Sequence, residues 1–76
     1  MTYYSKEEEI KIFLADVFKT VPDKISSNLQ LGMIRGWDSL GHMNLILAIE
    51  DKLGRKLNSS EILKIINFDE IKNILS

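Results

Sequence analysis

Apolar residues recur at Ile10, Phe13, Leu14, Val17 and Phe18, the i, i+3, i+4, i+7, i+8 spacing of a helix with one buried face. Ser5 and Glu8 ahead of them read as a capping box, and Glu7 to Glu9 suit the positive end of a helix dipole. Val21-Pro22 stops the run, because proline keeps the residue before it out of the helical region. The pattern predicts a helix over 5–19, with Tyr3 and Tyr4 packed on it or fraying with the terminus. A second periodic run covers 39–53, with Asp38 as N-cap and Gly54 as a left-handed cap. Asn58 with Glu61 opens a short helix over 59–65, and Asn67 with Glu70 opens a last one over 68–75. No stretch shows the strict alternation of a strand.

Between the first two helices lies a long connection, 20–38, rich in turn formers: Pro22, Asp23, Ser26, Ser27, Asn28, Gly32 and Gly36. It also holds Ile25, Leu29, Leu31, Met33, Ile34 and Trp37. A structureless loop of this length is unusual in a small domain. Its apolar residues imply that it crosses the bundle and closes one end of the core, with room for a helical turn near 29–33. Trp37 reads as the wedge that seats it. The expected fold is all-α: a small four-helix bundle of three main helices and one short one, a single domain over 1–76.

The second helix is apolar around more of its circumference than one core-facing stripe requires. Stepping 100° per residue places Leu45, Ile46, Ile49 and Leu53 toward the core. Leu40, Met43 and Leu47 then form a semi-exposed set on the other side. The polar stripe holds Gly41, Asn44, Ala48, Asp51 and Lys52, and acids remain only at Glu50 and Asp51. Gly41 reads as a first-turn glycine, tolerated because the amides there are unpaired in any case, rather than as a clearance for a bound group.

Composition narrows the chemistry. Ten basic and eleven acidic residues leave a charge of −1, so no basic field draws nucleic acid. A helix-turn-helix reader needs Arg, Lys, Asn or Gln along one face, and the second helix offers only Asn44 and Lys52. The chain has no cysteine, which excludes a disulfide scaffold, a thiolate metal site and a cysteine nucleophile. No apolar run nears the ~20 residues of a membrane span, and the polar, acidic start is unlike a signal peptide. The expectation is a cytoplasmic monomer.

One segment carries candidate chemistry. In Gly36-Trp37-Asp38-Ser39-Leu40, Ser39 stands at the mouth of the second helix, where free N–H groups and partial positive charge favour an anion. That place suits a phosphoester. With Gly41-His42-Met43-Asn44 following, and with the helix order long-loop, Asp-Ser-Leu helix, short helix, last helix, the chain resembles the acyl and peptidyl carrier proteins along nearly its full length. The resemblance implies that Ser39 is esterified by 4′-phosphopantetheine from coenzyme A, whose thiol carries an acyl group as a thioester. It implies that Asp38 aids the phosphopantetheinyl transferase, and that Leu40, Met43 and Leu47 meet that enzyme, a loading ligase and acyltransferase or synthase partners, with Glu50 and Asp51 as the remaining acidic contacts. Carriers of fatty-acid synthesis usually bear acids where this chain has Gly41 and Asn44. A specialised pathway, with docking through apolar contact more than charge, is therefore expected. The acyl chain would be sheltered, if at all, by Met43, Ile46, Ile62 and Ile66.

Other readings are an aminoacyl or peptidyl carrier, which near-neutral charge suits, and a cofactor-free helical adaptor docking through Leu40, Met43 and Leu47. An enzyme is not expected. Ser39 and His42 mimic a nucleophile and base, but hydrolysis also needs an orienting third group and an oxyanion hole. His42 is expected half-packed or solvated and partly charged, within reach of a phosphate or partner. Arg35, Arg55 and Lys56 read as solvated charges, and Glu7 to Glu9 as helix-start acids rather than metal ligands.

Overall fold

A computed structural model describes residues 6–75. Among these residues there are four α-helices: α1, Lys6–Val17; α2, Ser39–Leu53; α3, Ser59–Lys64; and α4, Phe68–Leu75. A 3₁₀ turn, Pro22–Lys24, lies in the long connection, and an isolated bridge joins Gln30 to Asn67. The bundle spans 37 × 27 × 18 Å. α1 packs against α2, α4 and the 3₁₀ turn. The Ser5 capping reading and the placement of Tyr3 and Tyr4 fall outside the described residues.

α1 ends earlier than the proline suggested. Thr20 N–H donates to the Ala15 carbonyl at 2.8 Å and Lys19 N–H to Asp16 at 3.4 Å, around Lys19 at φ 58°. This is a Schellman closure with lysine in the left-handed position usually given to glycine. Pro22 instead starts the 3₁₀ turn, where its fixed φ and missing donor cost nothing. Near 29–33, where a helical turn was expected, there is a single hydrogen-bonded turn from Gln30 to Met33, and the 3₁₀ segment of the connection lies at 22–24. Residues 29–31 bond to the start of α4 instead: Leu31 N–H donates to Ile66 and Phe68 N–H to Leu29, both at 2.9 Å.

The loop closes the core as its apolar content implied, but with only part of it. Ile25, Leu29 and Trp37 are buried beside Ile10 and Leu14 of α1, Phe18 just past its end, Leu45 and Ile49 of α2, and Phe68 and Ile71 of α4. Ile34 is half-buried, whereas Leu31 and Met33 are exposed. The turn from Gln30 to Met33 explains the difference, because it lifts the chain off the core while Leu29 stays under it. Ala15 also joins the core, outside the periodic set of large residues.

The remaining caps match the sequence signals. Gly54 sits at φ 71°, ψ 23°, and its N–H reaches Glu50. Asn58 and Glu61 form the full reciprocal box, and Asn67 accepts from Glu70 N–H at 2.8 Å. Arg55 is not a merely solvated charge. Its guanidinium grips Glu61 with two bonds, of 3.0 and 2.8 Å. That grip, helped by the Asn58 N–H, holds the Glu61 carboxyl at about 2 instead of 4.5. A carboxyl lowered on folding adds stability above its unfolded value, and that addition is lost as pH falls through the folded one. Between pH 4.5 and 2, the urea midpoint of the protein should therefore fall more steeply than that of Glu61→Gln. Parallel midpoints would show that the pair adds nothing. The pair is exposed and the effect modest.

Candidate functional site

The start of α2 is set by three contacts. Asp38 is in extended conformation at φ −97°, ψ −164°, and its Oδ1 accepts the Gly41 N–H at 2.8 Å. It is the N-cap that the sequence implied, and it satisfies one of the orphan first-turn donors. Ser39 follows as the first helical residue, exposed to solvent. Its hydroxyl therefore stands at a capped, positively polarised helix start where another protein can reach it.

The second contact is between glycines. Gly41 is buried, not on a polar stripe, and a Cβ there would overlap the carbonyl of Gly36. A Cβ on Gly36 would in turn overlap the Phe18 carbonyl, with the Phe18 Cβ at 3.0 Å. The residue that follows α1, the loop and the first turn of α2 thus approach backbone to backbone. Neither indifference to glycine nor room for a bound group accounts for Gly41; close chain approach does.

Third, Trp37 is wholly buried and stacks on Phe18, ring centroids 5.1 Å apart and planes 23° from parallel. Its Nε1–H donates to His42 Nδ1 at 3.1 Å, which satisfies the indole. His42 is half-buried and its Nδ1 is engaged as an acceptor, so the neutral ring carries its proton on Nε2. It is a support for the wedge, and that bond directs one nitrogen away from any role as base to Ser39.

On the outer side of α2, Leu40, Met43 and Leu47 are 67%, 64% and 60% exposed, while Leu45, Ile46 and Ile49 are buried and Leu53 packs on the core edge. The helix is divided as the apolar arc implied. The remaining acids differ from each other. Glu50 is half-buried and accepts the Leu57 N–H at 2.8 Å, which ties down the link to α3. Asp51 is exposed. Glu50 is thus committed inside the molecule. Lys52, on the polar side, lies over the Phe13 ring at 5.4 Å.

No family model matches this chain, and no curated protein matches it. The geometry around Ser39 must then speak for itself. Met43 and Ile66 are exposed while Ile46 and Ile62 are wholly or partly buried, so these four do not enclose a cavity. A cleft of about 560 Å³ lies beside the helix start, between the end of α1 and the first turns of α2. Asp38, Leu40, Gly41 and Asn44 line it from α2, and Lys19, Lys24 and Arg35 from the facing segments. The sequence contained one usable signal for this region. Two glycines five residues apart bracket a lone tryptophan, as expected where chains cross closely. No helix among the described residues is long and apolar enough to cross a membrane.

Proposed function

We propose that the chain is a carrier protein, with Ser39 as the attachment point for 4′-phosphopantetheine. The observation that carries the reading is an exposed serine at the first position of a rigidly capped helix, beside three exposed apolar residues. A transferase needs an accessible hydroxyl and a surface to grip, and both are within one turn or two of each other. The Ser39 Oγ attacks the β-phosphorus of coenzyme A inside the transferase. The Oγ–P bond forms, the pyrophosphate bond breaks, and adenosine 3′,5′-bisphosphate leaves. The serine proton passes to the transferase.

The arm supplies a terminal thiol that holds an acyl group as a thioester, which suits a chain without cysteine. The residues of the chain do the presenting. Asp38 and the Gly36–Gly41 contact fix the direction in which Ser39 projects. Leu40, Met43 and Leu47 form the docking row beside it. Tethering lets one domain meet several enzymes at high local concentration.

Incubation with coenzyme A and a broad-specificity phosphopantetheinyl transferase should add one arm to the intact mass, and Ser39→Ala should abolish the gain. No gain in the unaltered protein, or a gain that survives Ser39→Ala, removes the carrier reading. The adaptor reading would then take its place, since it uses the same exposed row without the arm.

A further inference from the structure

The cleft beside Ser39 concentrates positive charge in a chain whose net charge is −1. Lys19, Lys24 and Arg35 line it, three of ten basic residues. The one acidic side chain in its wall, Asp38, already accepts the Gly41 N–H. The rest of the wall is largely apolar, through Phe18, Ile34 and Leu40. At about 560 Å³ it falls within the range of small-molecule sites. Its floor is firm, because Gly36 and Gly41 meet there backbone to backbone. An apolar trough rimmed by cations fits a short apolar stem that ends in an anion, and the arginine offers a planar fork matched to a carboxylate.

We propose that this cleft receives the end of the carried group, and that the group is an acyl chain bearing a terminal carboxylate, a half-thioester of a dicarboxylic acid. The proposal rests on the carrier reading, which puts the tether at Ser39 between two residues of the wall, Asp38 and Leu40. A tethered carboxylate meets the cations at high effective concentration, so contacts weak in free solution suffice. A phosphodiester alone would remain at Ser39 and leave the apolar trough empty.

The test compares three forms made by the transferase: the unloaded arm, the pentanoyl arm and the glutaryl arm, which differs from the pentanoyl arm only at its end. Backbone amide shifts of Thr20, Lys24, Arg35 and Asn44 are followed by NMR. Movement of these amides in the glutaryl form alone, lost in Lys24→Gln/Arg35→Gln with the rest of the spectrum unchanged, is the expected result. Equal movement in the pentanoyl form, movement already complete in the unloaded arm, or none in any form overturns the proposal. Intact mass reports separately whether the arm was attached. If it was not, the carrier reading fails, and the cleft is tested with free glutaryl- and pentanoyl-pantetheine at millimolar concentration. Glutaryl-selective shifts then support the site, and their absence overturns it.

Discussion

Gly41→Ala is expected to destabilise the protein by about 3 kcal/mol, the upper part of the usual overpacking range. Helix propensity alone predicts the opposite, a gain of up to about 1 kcal/mol on replacing glycine by alanine. The sign is therefore diagnostic. The new Cβ meets the carbonyl of Gly36, which is backbone and cannot turn aside. Relief requires the loop to lift, and Gly36 is itself pressed on the Phe18 carbonyl, so the movement passes on to the end of α1. For a domain of this size each kcal/mol lowers Tm by roughly 4–8 °C, which makes a drop of more than ten degrees the expected reading. Trp37 is the only tryptophan and lies beside the contact, so its fluorescence reports the transition directly. A variant that melts at or above the parent temperature would show that the glycine contact does not matter.

Trp37→Ala should cost about 3–5 kcal/mol, as large-to-small changes at buried aromatics do. Total stabilities of small domains run from about 5 kcal/mol, so much of the population should be unfolded at modest denaturant. The loss has two parts that a second variant separates. Trp37→Phe keeps a ring against Phe18 and removes the N–H donated to His42, and should cost only about 1 kcal/mol plus a small packing loss. Far-UV circular dichroism in urea measures both, since the variants lack the fluorophore. If both variants lose the same stability, the indole N–H bond rather than the wedge holds the loop.

Much of the bundle was legible because its signals are local. Asp38, Gly54, Asn58 with Glu61, and Asn67 each announce a helix end through the bond their own side chain or backbone makes a few residues away. The division of α2 between Leu45, Ile46, Ile49 and the exposed Leu40, Met43, Leu47 follows from angular position alone. Most of the misreadings depend on contacts between a helix and the chain outside it. Gly41 looked like a surface glycine because helical periodicity does not show that the Gly36 carbonyl packs against it. Glu50 looked free because its acceptor role faces Leu57, seven residues on. Leu31 and Met33 looked like core because they are apolar, and only the turn that pairs the loop with Ile66 and Phe68 turns them outward. Lys19 hid the end of α1, because a lysine in a left-handed position carries no mark of it in sequence. At the candidate site, the serine and its cap were readable. The cleft was not, since its cations come from three separate places in the chain.

The least dimension of the molecule is 18 Å, less than two helix diameters of about 10–12 Å each. A body so thin leaves Leu40, Met43 and Leu47, on the outer face of α2, uncovered among the described residues. On the proposed carrier reading, a partner enzyme would reach that face without prising anything away.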